Sequence, residues 1–148
     1  MDQDEVKSKL EYGIRHMEFA AELYEIQMNN NLYFLHEHPA SATSWQLPCI
    51  KRLIERDDVY QGTIDMCQYG MVSKDGEPIK KPTSFITNSW EIAKRLRLRC
   101  NKRHNHAWLC GSKATAAAAI YPRPLCESIV HGLMDQIRVD GRANTEQD

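Results

Sequence analysis

The chain has 148 residues and a mass of 17.1 kDa, with 42% hydrophobic residues, 26% charged residues and a formal net charge of -1. This is the profile of one soluble globular domain, with a real core but tight for a cofactor domain beside a substrate domain. No apolar run reaches the length of a membrane helix, and the acidic start Met1-Asp2-Gln3-Asp4-Glu5 is unlike a secretory or transit signal. The chain is therefore expected inside the cell, nuclear or cytoplasmic and not secreted, with no membrane partner. The odd number of cysteines, Cys49, Cys67, Cys100, Cys110 and Cys126, argues for reduced thiols rather than a disulfide framework.

In chain order, Val6, Leu10, Ile14, Met17, Ala21, Tyr24 and Met28 trace one stripe of a helix. Asp2 and Glu5 supply a capping pair at its start, and Asn29-Asn30-Asn31 its end. Leu32 to Leu35 reads as a short strand running into His36-Glu37-His38-Pro39, which places Glu37 at a strand end, where ligands of open α/β sheets bind. Pro48 suits the first turn of a second helix with Ile50, Leu53 and Ile54, ending near Asp57. Residues 59–71 and 81–88 read as a β-hairpin with a long tip containing Asp75-Gly76. Asn88 and Glu91 are expected to cap a basic helix that carries Trp90, Ile92, Ala93, Leu96 and Leu98 to near Cys100. A final helix carries Leu125, Ile129, Leu133 and Ile137, and a polar tail over 140–148 is expected to be disordered, leaving one domain over 1–139.

Charge is unevenly distributed. Residues 1–60 hold 11 acidic and 6 basic side chains, whereas 61–113 hold 4 acidic and 10 basic. The run Lys94-Arg95-Leu96-Arg97-Leu98-Arg99-Cys100-Asn101-Lys102-Arg103 has six cations and no anion, which favours a polyanion such as a phosphate backbone. The alternative is a solvated helix face.

Cys100, His104, His106 and Cys110 are all of zinc-ligand type within eleven residues. Structural zinc motifs usually grip the ion with two separated chain segments, whereas this spacing makes one loop wrap it alone. The favoured reading is a surface loop with inward-packed cysteines, and zinc is not expected. In His36-Glu37-His38, strand alternation sends both histidines to one face and Glu37 to the other. Glu37 then stands as a lone carboxylate, either catalytic or pairing with a helix end or a cation. No glycine-rich phosphate loop and no serine nucleophile elbow occur, and Cys49 reads as packing.

The ordered motifs Leu32-Tyr-Phe-Leu-His-Glu-His-Pro39, Ser44-Trp45, Asp65-Met-Cys-Gln-Tyr-Gly70 and Lys80-Lys-Pro-Thr-Ser-Phe-Ile-Thr-Asn88 resemble the later part of a DNA cytosine-5 methyltransferase-like domain. Copies of it occur in retroelement-type polyproteins of some algae, and the resemblance covers roughly residues 5–137. It implies that Glu37 is the counterpart of the glutamate that engages the flipped cytosine. Gln68, Tyr69, Lys80, Lys81 and Thr83 would be counterparts of the DNA-positioning segment, with lysines where the family has arginines. Arg95, Arg97, Arg99, Lys102 and Arg103 would add phosphate contacts. The fold implied is α/β, a partial Rossmann-like sheet with flanking helices and a β-hairpin. The family's cofactor strand and Pro-Cys nucleophile precede the matched part, so S-adenosylmethionine, the implied cofactor, is not expected to bind this chain alone, and the chain alone is expected to be inactive. Nucleic acid, chiefly DNA, is the implied partner, together with an upstream half-domain or a second copy covering the sheet edge. A non-catalytic nucleic-acid-binding module and a protein-interaction domain are the alternatives.

Overall fold

The computed structural model describes residues 2–109 and 111–141, without the side chains of 112–114. Helix α1 (Gln3–Asn29) begins where Asp2 accepts the Asp4 amide at 3.4 Å and ends beside Asn31, whose φ of 55° is left-handed, a conformation asparagine tolerates. The expected stripe is buried only in its second half. Met17 and Ala21 lie in the core and Tyr24 and Met28 against it, while Val6 and Leu10 are 48% and 61% exposed. Helix α2 (Pro48–Ile54) opens on its proline as expected and meets α1 along that buried half.

Strand β1 (Leu35–Pro39) begins where the expected strand, Leu32 to Leu35, ends. The preceding residues are held by side chains instead of a ladder: the Asn88 amide accepts from Phe34 N at 2.9 Å and donates to Leu32 O at 3.0 Å. Thr87 Oγ1 also donates to Phe34 O at 2.6 Å. Glu37 consequently sits mid-strand, opposite Phe85, and not beyond a strand end.

Strands β2 (Tyr60–Asp65) and β3 (Pro82–Thr87) form the expected hairpin, in register from Tyr60 opposite Thr87 to Asp65 opposite Pro82. Its long tip contains a 3-10 turn over Met66–Tyr69, an isolated bridge between Val72 and Pro78, and Gly76 at φ 81°. The described sheet has the order β1-β3-β2 and is antiparallel throughout. Its central strand is buried on both faces. Ile86 packs with Met17, Trp45, Ile50 and Leu53, and Phe85 packs with Ile64, Met66, Leu96 and Leu125. The fold is therefore mixed α/β, with a core on each side of a small sheet.

Helix α3 (Trp90–Arg95) is shorter than expected and is capped one residue later, by Ser89, whose Oγ accepts the Ile92 amide at 3.2 Å. Asn88 is committed to Leu32 and Phe34, and cannot cap. The helix stops because the end of β2 and its turn recruit the next residues: Asp65 N donates to Leu98 O at 3.0 Å, and Leu98 N donates to the Tyr69 hydroxyl at 3.3 Å. The basic run is thus mostly extended chain along the end of β2, not a helix face.

Helix α4 spans Ser112–Ala117, and α5 spans Arg123–Val139. On α5 the buried positions are Leu125, Gly132 and Gln136, with Leu133 37% exposed, so the face departs from the apolar spacing. Gly132 permits the crossing with α3, since a Cβ there would lie 2.8 Å from Ile92 Cα. Gln136 Oε1 accepts from Ser89 Oγ at 3.0 Å and Glu91 N at 3.2 Å, capping α3 from outside. Of the expected tail, Asp140 accepts from Tyr33 and from Gln136, and residues 142–148 lie outside the described residues. Among the described residues no helix is long and apolar enough to cross a membrane.

Candidate metal centre

The end of β2 turns sharply because Met66 and Tyr69 are buried at 0% and 4% exposure and Gly70, at φ 86°, closes the turn in a left-handed conformation. That geometry leaves Cys67 and Gln68 half-buried on the outer side. Asp65, one step earlier, points its carboxylate at the extended segment after α3. Its Oδ2 accepts from Cys100 N at 2.8 Å and Arg99 Nε at 3.0 Å, and this fixes where Cys100 enters the site.

Beyond Cys100 the chain curls back on its own sulfur. Lys102, at φ 61°, donates its amide to Cys100 Sγ at 3.3 Å, and Arg103 N donates to Asn101 Oδ1 at 3.0 Å. The curl delivers His104 and His106, whose Nε2 atoms lie 3.5 and 3.4 Å from Cys100 Sγ and 3.0 Å from each other. Ala107 N then donates to Pro78 O at 2.9 Å, tying the far end of the loop to the hairpin tip.

Ligand-type atoms of Cys67, Cys100, His104 and His106 all lie within 4.8 Å of one another. A zinc tetrahedron with Zn–S of about 2.3 Å and Zn–N of about 2.1 Å has edges of about 3.4–3.8 Å. The Cys–His separations of 3.4 and 3.5 Å match those edges, and the His–His separation is somewhat tighter. Burial, followed by the neighbouring Cys100 thiol, pushes the Cys67 thiol above its ordinary range; a bound cation reverses that by favouring the thiolate.

Sequence spacing groups Cys100, His104 and His106 with Cys110, which lies outside the described residues. The structure brings Cys67 to those three residues. The objection that one loop would wrap the ion alone does not apply to this set, because the hairpin tip supplies the second segment. Cys67 is invisible to local spacing, and only its place just after a strand that pairs back on itself signals it.

The other expected site residues are dispersed. Glu37 is half-buried and, with Tyr121, lines an apolar pocket of about 20 Å³ that Leu35, Ile64, Thr83 and Leu125 also enclose. That volume admits about one water molecule. Burial and then Glu37 raise the Tyr121 hydroxyl far above its usual range. His36 and His38 stack on the opposite face with centroids 4.9 Å apart, as strand alternation predicts.

Tyr69 and Thr83 are core residues, the Tyr69 hydroxyl donating to Arg95 O at 2.8 Å and Thr83 Oγ1 to Lys81 O at 3.0 Å. Lys81 Nζ donates to Ala118 O at 2.6 Å, Lys80 is half-buried, and the Gln68 amide lies 3.9 Å from Cys67 Sγ. Arg95 pairs with Asp135 at 2.7 Å, Arg97 lies over Trp90 at 5.0 Å, and Arg99 pairs with Asp65. Lys102 and Arg103 are exposed on the ligand loop, and Trp108, just beyond it, is 89% exposed. No family model matches the chain, and neither a curated protein nor a solved structure matches it.

Proposed function

We propose that this chain is a nucleic-acid-binding module stabilised by a structural zinc ion held by Cys67, Cys100, His104 and His106. The observation that carries the reading is the convergence of four ligand atoms from two chain segments to within 4.8 Å of one another, with both Cys100–His separations close to a tetrahedral edge. Four protein ligands close a zinc shell, which favours a structural over a catalytic ion. The ion would fasten the 100–106 loop to the hairpin and so hold Lys102 and Arg103 in one place. Two exposed cations followed a few residues later by an exposed tryptophan suit a single strand, with phosphate on the cations and a base on the indole. Metal analysis of tag-free protein is expected to find about one zinc per chain, lost on Cys67→Ser. A cooperatively folded chain that neither carries nor takes up zinc overturns the reading.

The resemblance to cytosine-5 methyltransferases supports a second reading, in which the module descends from such a domain and the three-stranded sheet is part of a larger Rossmann-like one. β1 and β2 are the edges of the described sheet, where an upstream half-domain or a second copy would add. Glu37, with Tyr121 against it, would then be the base-facing carboxylate. Calorimetry with S-adenosylmethionine is expected to show no binding to the chain alone, and saturable binding would restore an enzymatic reading.

A further inference from the structure

The metal set contains two thiols from distant parts of the chain, and this gives the site a second stable covalent state. Cys67 Sγ and Cys100 Sγ lie within 4.8 Å of each other, and both residues are partly exposed, so an oxidant can reach them. Cys49 lies on α2, buried in the core cluster that includes Met17 and Ala21 of α1, and Cys126 lies exposed on α5. Neither is in the ligand cluster. We propose, resting on the zinc reading above, that Cys67 and Cys100 form a redox pair: a peroxide joins them as a disulfide, expels the metal and loosens the His104–His106 loop.

The chemistry closes with the peroxide as the only co-reactant. The two thiolates give up two electrons and form the S–S bond. The O–O bond breaks, and its two oxygens leave as water after taking up those electrons and two protons from solvent. Zinc has then lost both anionic ligands, and two imidazoles alone hold it poorly.

The architecture determines what the switch changes. The disulfide spans the two chain segments that the metal spanned, so the hairpin tip stays fastened to residue 100. His104 and His106 lose their common partner. Among the described residues, the hydrogen bonds that then tie this loop to the rest of the fold are at its ends, from the Cys100 amide to Asp65 and from Ala107 to Pro78. Lys102 and Arg103 lie in that stretch, and the arrangement that oxidation dissolves is the one proposed to contact phosphate.

The test uses the full chain loaded with zinc and treated with hydrogen peroxide in small molar excess. Released zinc is followed with a chromogenic chelator, and cysteine pairing by non-reducing peptide mapping. The expected result is about one zinc released per Cys67–Cys100 link formed, both reversed by reductant plus zinc. Trypsin cleavage after Lys102 and Arg103 is expected to rise about tenfold or more in the oxidised chain. Cys110→Ser and Cys126→Ser are expected to leave the link intact, and a link that disappears in either variant overturns the proposal. Zinc loss with sulfinic acids on Cys67 and Cys100, and resistance to peroxide, each overturn the redox pair and leave the zinc reading standing. A chain that takes up no zinc overturns the zinc reading and the expulsion step with it.

Discussion

Arg99 and Asp65 form a lopsided pair: the carboxylate is 2% exposed and the arginine side chain 54% exposed. Arg99→Gln therefore leaves a buried charge with the Cys100 amide as its remaining partner, because Asp65 Oδ1 has no hydrogen-bond partner at all. Removing one member of a fully buried pair costs about 3–5 kcal/mol. Since Arg99 is already half in water, we expect about 2–3 kcal/mol here. Asp65→Asn added to Arg99→Gln removes the stranded charge while keeping an acceptor for the Cys100 amide, and is expected to return about 1–2 kcal/mol. Urea unfolding of the four chains of this double-mutant cycle, all at one fixed zinc concentration, measures the coupling. Strictly additive effects, or an Arg99→Gln chain within about 0.5 kcal/mol of the parent, would refute the argument.

Gly132→Ala gains about 1 kcal/mol of helix propensity but sets a methyl 2.8 Å from Ile92 Cα, on backbone that cannot swing aside. Overpacking wins, and calorimetry is expected to show a thermal midpoint lower by about 3–6 °C. Ser89→Ala removes the α3 cap and one partner of buried Gln136, and is expected to cost about 1–2 kcal/mol in urea unfolding. His36 is held neutral by burial and then by His38, its pKa lowered to about 4. The unfolded chain binds that proton first, so stability is full above about pH 6.5 and declines as pH falls toward 4. Discounted for partial solvent screening, the decline is about 1–2 kcal/mol, is measured by urea unfolding of the metal-free chain, and is absent in a folded His36→Phe variant. Joint reversal of Lys102 and Arg103 to glutamate is expected to lower the salt slope of single-strand binding by about 1.4, read by fluorescence anisotropy. Unchanged affinity and slope refute the phosphate assignment.

What was legible in the sequence was decided by near neighbours. The Asp2 cap, the Asn31 exit, the Pro48 start, the turn at Asp75-Gly76 and the opposite faces of Glu37 and His36 each depend on a few adjacent residues. The misses arose where a distant group overrode a local preference. The run after Arg95 has good helix formers, yet Asp65 and Tyr69 draw its amides and carbonyls away. Gln136 interrupts an apolar stripe because its carbonyl serves another helix, and Asn88 gives up capping because it bridges to Leu32 and Phe34. The site escaped for the same reason. Three of its four members are close in sequence, and the fourth arrives only when a hairpin closes.

That division has a consequence for the denatured chain. Cys100, His104 and His106 fall within seven consecutive residues, so an unfolded polypeptide already offers a divalent cation three ligands on one flexible stretch. Linkage assigns to the native state only the difference between its affinity and that of this residual chelate. The difference resides in Cys67 and in the preorganisation that Asp65 imposes on residue 100. Zinc should therefore raise the unfolding free energy by much less than its total binding energy. Cation capture can precede folding, with formation of the hairpin tip as the step that completes the coordination shell.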